Sequence, residues 1–296
     1  MASSTPRFAL TALFVCFLSL SPLSAQSGAN QEAPAWLALE EGNLHFDRGD
    51  FGDALRSYRT ALAEAGVLPE AELGIARVYA AQADDLLAIR FYRRSLEQEG
   101  QFDVPELAQQ ARYELADIYR RQRRPEAYEE TLLQIVANDE MFTSPEEETT
   151  RRQMREVLLT EGADRLLVLY RLEELFSVEA HQRLAEHYYE GGRDRALDHA
   201  IFAVVKILSE AIAGYRERYF DYEFESILEF HSRLSRQPLI RNYLSDAGLY
   251  RSLYYLGLAI DLYQPRSGVA QELMETVATL GESAGPWAGR AQRFLQ

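Results

Sequence analysis

The chain has 296 residues, with 46 acidic against 31 basic side chains and a formal charge of −15. That balance argues against nucleic acid and anionic lipid as primary ligands, since a surface of this sign repels phosphate. A single cysteine excludes an intrachain disulfide framework, so stability must come from packing, which a chain of this size can supply.

Arg7 is the sole charge before Glu32, and an apolar run over residues 8–20 follows it. Ser21-Pro22-Leu23-Ser24-Ala25 then supplies a helix breaker and a small residue at the cut. This order predicts a secretory signal peptide over 1–25. The apolar run is shorter than the ~20 residues that a spanning helix needs. Leu13-Phe14-Val15-Cys16 offers the lesser alternative of lipidation at Cys16. Cleavage after Ala25 would remove the cysteine and leave an exported protein, periplasmic or extracellular, with no direct membrane insertion. Residues 26–34, QSGANQEAP, read as a polar linker.

Residues 35–68 set a pattern that recurs down the chain. Gly49-Asp50 interrupts a first helix near 47. The second, near 51–64, carries Ala54, Tyr58, Ala61 and Leu62 on one face. A shift of 34 places Asp50 on Asp84, Ala54 on Ala88, Tyr58 on Tyr92 and Leu62 on Leu96. A period of that length marks a helical-pair repeat. With Trp36, Gly42, the turn Gly49-Asp50-Phe51, Ala54, Tyr58 and Ala61-Leu62, the segment resembles a tetratricopeptide repeat (TPR).

The second repeat, 69–102, opens on Pro69 at a helix start and turns at Ala83-Asp84-Asp85, without the glycine. The third carries Leu115-Ala116-Asp117-Ile118-Tyr119, turns at Arg124-Pro125, and buries Tyr128, Leu132, Ile135 and Val136. An offset of 69 from it reaches Leu184-Ala185-Glu186-His187-Tyr188, with Gly191-Gly192 at the turn. One unit should fit between, over 144–176. Ser144-Pro145-Glu146-Glu147 would start its first helix, with Ser144 as cap and Glu147 reaching back, and Gly162 would break it. An offset of 141 reaches Leu256-Gly257-Leu258-Ala259-Ile260, predicting a pair over 250–283. Residues 212–249 are again one unit long, but after Gly214 they lack an internal breaker and read as one long helix, 215–236, ended by Gln237-Pro238. Trp287, Ala291 and Leu295 share a face of a short helix after Gly285-Pro286, which would cap the apolar end.

The resemblance implies an all-α, right-handed α-solenoid of about seven TPR-like helix pairs with a C-terminal capping helix. Its divisions are three repeats over 35–138, degenerate repeats over 139–249, and a terminal pair with its cap over 250–296. It also implies a binding row on the first helix of each pair, the concave side. On this chain that row is Leu39, Asn43, Phe46 and Asp47, then Arg77 and Ala81, then Tyr113, Asp117, Arg120 and Arg121. Members of the carboxylate-clamp kind hold a C-terminal carboxylate with lysines and asparagines. Here Asn43 matches, but Leu39, Gly74, Gln110 and Glu114 replace the lysine, asparagine, lysine and arginine, so that ligand is not implied.

Chemistry is sparse. No HExxH, GxSxG or phosphate-binding glycine loop occurs, and adjacent carboxylates such as Glu40-Glu41 and Glu173-Glu174 do not face each other on a helix. The five histidines read as partly exposed helix residues rather than ligands, with His45 at a packing position. No cofactor is expected. Tyr215, Tyr219, Phe220, Tyr222, Phe224 and Phe230 read as core, or alternatively as a face for self-association. The sequence therefore predicts a non-enzymatic scaffold of the cell envelope that binds another protein or peptide, its acidity steering basic or mixed-charge partners inward. Two rivals are a self-associating structural subunit that uses 215–230, and a carrier or enzyme with a pocket built from His187, Glu186 and Tyr222.

Overall fold

The computed structural model describes residues 34–172 and 175–296, and the signal-peptide expectation, Cys16 and the Glu173-Glu174 pair lie outside them. Among the described residues there are helices and no strands. They are α1 (Ala35–Asp47), α2 (Phe51–Ala65), α3 (Pro69–Ala81), α4 (Asp85–Leu96), α5 (Glu106–Arg121), α6 (Pro125–Val136), α7 (Glu140–Thr143) and α8 (Glu148–Leu169). The rest are α9 (Val178–Glu190), α10 (Ala196–Arg216), α11 (Ile227–Arg233), α12 (Pro238–Asp246), α13 (Leu249–Tyr263), α14 (Gly268–Thr279) and α15 (Pro286–Phe294).

Four of the pairs turn in the same way. A left-handed residue closes the first helix: Gly49 (φ 80°), Ala83 (59°), Arg123 (54°) and Gly192 (63°). The next amide then donates back to a carbonyl five residues earlier: Asp50 to His45 (2.9 Å), Asp84 to Tyr79 (2.9 Å), Arg124 to Tyr119 (3.0 Å) and Arg193 to Tyr188 (2.8 Å). This is the Schellman end of a helix, where glycine avoids a Cβ clash that alanine and arginine must bear. Proline begins α3, α6, α12 and α15, where its missing N–H has no partner to lose.

The pairs α1/α2, α3/α4, α5/α6, α9/α10 and α13/α14 stack in that order, and α15 closes the end against α14 and α13. The fold is thus an all-α solenoid of TPR-like helix pairs. Close approach is built from small residues. Ala54 and Ala88 are fully buried at the crossings. The Tyr58 ring lies between Gly42 of α1 and Gly74 of α3, where an added Cβ would stand 2.5 Å from it on either helix. Gly74 is therefore a packing requirement, and it explains why asparagine does not occupy the position. The core is continuous from α3 to α15, with a smaller cluster over α1–α3. Helix α10 is apolar nearly all round and sits at its centre, packed by α8, α9, α12 and α13.

The two segments assigned by spacing are helical but lie beside the stack rather than within it. Helix α6 packs directly on α9, while α8 crosses to α10 and α14 through Met154, Leu158, Leu166 and Leu167. Gly162 breaks it as expected (φ 88°). At its start Ser144 accepts from the Glu146 amide at 3.2 Å, and Glu146 rather than Glu147 reaches back to it.

The single helix expected over 215–236 is not present. Helix α10 ends at Arg216, and the chain runs irregularly to Ser226, which caps α11 by accepting from the Glu229 amide at 3.1 Å. Side chains take up the freed backbone groups: Arg216 Nε donates to the Tyr222 carbonyl (2.8 Å), and Asp164 accepts from the Ile227 amide (2.8 Å). Tyr215, Tyr222, Phe224 and Phe230 are core, as expected; Phe220 is exposed, and Tyr219 is partly so, stacked on Tyr215. On α15 the buried face is Ala288 and Ala291, with Trp287 partly buried against Tyr254, while Leu295 is exposed.

Candidate functional site

The first-helix row resolves into residues that build the wall and residues that face solvent. Leu39 and Phe46 turn inward, Phe46 against Phe51 with ring centres 5.9 Å apart. Asn43 accepts from the Tyr58 hydroxyl at 3.0 Å, and Asp47 and Ala81 are exposed. Arg77 forks onto Glu114 through Nε and Nη2 (3.0 and 2.9 Å), and Glu114 also accepts from Tyr92 (2.8 Å). Burial would weaken the charge on Arg77, but the Glu114 pair raises its pKa above the ordinary value. Arg121 reaches Asp85 on α4 at 2.9 Å. Tyr113 bridges α5 to the start of α9: its hydroxyl donates to the Phe176 carbonyl and accepts from the Ala180 amide, both at 3.0 Å.

Beyond Tyr113 the wall opens. Helix α5, the first turn of α6, α9 and α13 enclose a cleft of about 430 Å³. Five arginines line it: Arg120 and Arg123 from α5 and its end, Arg124 before α6, Arg183 from α9 and Arg251 from α13. Only Glu186 and Glu190 oppose them in the lining. Asp117 sits behind, holding Arg183 at 3.0 Å and Arg120 at 3.2 Å. Arg251 pairs with Glu186, which also accepts from the Tyr255 hydroxyl at 2.7 Å. Arg124 lies over the Tyr119 ring at 4.9 Å. The buried Tyr128 lines the cleft; burial raises its pKa, while Arg183, Arg120 and Arg251 act against that rise. It stays a neutral hydrogen-bond donor at ordinary pH.

The pocket imagined from Glu186, His187 and Tyr222 is not assembled. The first two line this cleft, but Tyr222 is buried against Phe230 and donates to Glu229 at 2.9 Å. His187 instead meets Glu129 at 3.4 Å and Arg193 at 3.0 Å. Among the described residues no group of three or more His, Cys, Asp or Glu side chains could hold a metal ion. What the cleft offers chemically is a set of forked guanidinium donors, suited to holding carboxylates.

The histidines require a correction. His181 and His199 are fully buried rather than partly exposed, with Nδ1 atoms 2.9 Å apart. His181 Nε2 lies 3.2 Å from Asp139, which also takes Lys206 Nζ (2.9 Å) and the Ser177 hydroxyl (2.9 Å). Phe142 and Phe202 pack around the rings. Burial would raise the Asp139 pKa, but hydrogen bonds from His181 and Lys206 hold it far below the carboxylate range. Burial, with His181 and Arg195, holds His199 neutral, well below 6.5. The cluster lies at the junction of α7, α9 and α10 and knits the middle of the stack. Its signal was Lys206, the one lysine in an otherwise arginine-only chain, set inside an apolar run that demands a counter-charge.

No family model matches the chain. A curated relative, an uncharacterized protein of Treponema pallidum (strain Nichols), is 21% identical over 240 residues, which are 80% of this chain and 64% of that protein. The chain thus spans less than two thirds of that relative's length. Among solved structures, a Podosopora anserina kinesin light chain-type protein of nearly identical TPR-like repeats is similar at TM-score 0.43 and 16% identity, over 86% of this chain and 99% of that one. The helix pairs themselves, not these likenesses, define the class: a TPR-like helical-repeat protein. No helix among the described residues is long and apolar enough to cross a membrane.

Proposed function

We propose that this is a non-enzymatic protein–protein interaction scaffold of the cell envelope, which grips a segment of a partner along the wall of first helices. The observation that carries the reading is the cleft shared by α5, α6, α9 and α13. A stack of helix pairs offers an extended surface on which several neighbours contribute to one site. The predicted leader over 1–25 supports export, and the division into repeats over 35–138, 139–249 and 250–296 follows the same reading. Among the row residues, Arg120 lines the cleft and Asp117 holds two of its arginines from behind, while Arg77, Tyr113 and Arg121 brace the helices that form it.

The test is affinity capture from a native envelope extract, read by mass spectrometry, with wild type and Glu190→Trp. Glu190 is exposed and lines the cleft, so tryptophan fills the space without removing an arginine. The scaffold reading expects a partner that is lost in Glu190→Trp. Capture unchanged by the plug would refute the cleft as its seat. A homo-oligomer by light scattering that dissociates on Phe220→Ala, with no partner captured, would favour the structural-subunit reading.

A further inference from the structure

The sign of the cleft is opposite to that of the molecule. The chain carries −15, yet five arginines converge against two glutamates in one opening. Some of that charge is already used. Arg251 is held by Glu186, and Arg183 by Asp117 and Glu179, while Arg120 shares Asp117. Arg123 and Arg124 have no carboxylate of a described residue within the 4.0 Å of an ion pair. They stand at the rim on the α5–α6 turn, both exposed.

The local backbone reinforces the sign. Helix α6 begins at Pro125 with Arg124 as its cap residue, and no side chain accepts from its first amides. The positive end of that helix is thus uncapped where Pro125 and Tyr128 line the cleft. Arg123 occupies the left-handed position that glycine fills at 49 and 192. Glycine there would avoid the Cβ clash that Arg123 bears, so the turn carries a local cost at this residue.

We infer that the cleft binds an acidic peptide segment of the partner protein, its side-chain carboxylates seated on Arg123, Arg124 and Arg120 with the Tyr128 hydroxyl below. The inference rests on the scaffold reading and names the chemistry of its partner. Guanidinium forks match carboxylates two bonds at a time. The positive groups are spread over α5, the α5–α6 turn, α9 and α13, which suits several carboxylates along an extended chain better than one compact anion. The surrounding negative field disfavours a nucleic acid polymer, whose phosphates would be repelled outside the cleft. It also reverses the sequence expectation that basic segments are drawn in: the net charge is spread over the whole surface, while contact is decided locally.

The experiment titrates a fluorescein-labelled, C-terminally amidated hexaglutamate peptide with the full chain and reads fluorescence anisotropy. Hexalysine, inorganic phosphate and citrate serve as competitors. Saturable binding is expected, weakened about tenfold or more in Arg123→Ala/Arg124→Ala, partly restored in Arg123→Lys/Arg124→Lys, and unchanged in Arg56→Ala, an exposed arginine on α2. Circular dichroism melts check that the variants fold, which is expected because both rim residues are exposed. Failure of hexaglutamate to bind, binding indifferent to the rim arginines, or preference for hexalysine would overturn the inference. So would displacement by phosphate or citrate as effective as by unlabelled peptide, which would mark a small-anion site. If capture is lost in Glu190→Trp while hexaglutamate does not bind, the scaffold reading stands and this one falls.

Discussion

Replacing glycine by alanine inside a helix ordinarily stabilises it by about 1 kcal/mol. At Gly74 the opposite is expected. A Cβ there would lie 2.5 Å from Tyr58 Cζ and 2.6 Å from Cε1, well inside contact distance. The ring has nowhere to go, because a Cβ at Gly42 would be just as close to Cδ1 and Cε1, and the hydroxyl is tied to Asn43 at 3.0 Å. Helix α3 must move or the ring must leave its rotamer, an overpacking cost of about 2–3 kcal/mol. Subtracting the propensity gain leaves Gly74→Ala destabilised by about 1–2 kcal/mol. Tyr58→Ala alone should cost about 3–5 kcal/mol. Combined, the two should not add: with the ring gone, Gly74→Ala should recover its ordinary gain, so the pair is coupled by about 2–3 kcal/mol. Urea unfolding followed by far-UV circular dichroism measures all four corners of the cycle. A Gly74→Ala change with the same sign in both backgrounds would refute the close approach of α1, α2 and α3 through Tyr58.

Gly257→Ala provides the contrast: its nearest neighbour is the Met274 Cε at 2.7 Å, the free end of a flexible side chain, so stability should stay within about 0.5 kcal/mol of wild type by the same unfolding curves. Ala83→Gly relieves an exposed left-handed residue (φ 59°) and should stabilise by about 1 kcal/mol; a loss would contradict the Schellman geometry. Tyr92→Ala removes a buried ring and the hydroxyl that Glu114 accepts from, and should cost about 3–5 kcal/mol in the same assay. His199 is held neutral in the fold but takes a proton near 6.5 when unfolded, so the unfolded state binds more protons below that pH and stability falls there by up to about 1.4 kcal/mol per pH unit. Half-buried His231, also lowered, acts in the same direction, and Asp139 adds a further loss below about pH 3.9, where only its unfolded form takes up a proton. His199→Gln should flatten the slope just below pH 6.5; an unchanged slope would assign it to other groups.

The helix pairs were legible because their signals are local. An alanine at the crossing, a tyrosine four residues on and a turn residue before them specify one close contact, and the same trio recurs at Ala54–Tyr58 and Ala88–Tyr92. The long helix over 215–236 misled because helical character was read from an absence of breakers. The irregular stretch is held by contacts that no local pattern records: Arg216 takes the Tyr222 carbonyl past the end of α10, and Asp164, some sixty residues away, takes the Ile227 amide where α11 begins. Spacing alone placed 144–176 within the stack, but spacing does not record which face is apolar. Helix α8 has its buried residues turned toward α10 and α14, and α6 is left to meet α9. Of the cleft lining, the family's first-helix row contains only Arg120, with Asp117 behind it. Arg183 and Arg251 join Arg120 from two other pairs, and no local pattern links them. Phe46 and Tyr113 of that row serve packing and bracing instead, because an aromatic on a helix surface can be used as readily for bracing as for binding.

Hydrogen–deuterium exchange of the protein alone and with a partner captured as proposed above tests the central claim most directly. If the first-helix wall is the binding surface, protection should concentrate on peptides from the end of α5 and the α5–α6 turn, the middle of α9 and the start of α13. Protection centred instead on α2, α4 or the exposed stretch around Phe220, with those three segments unchanged, would contradict the account.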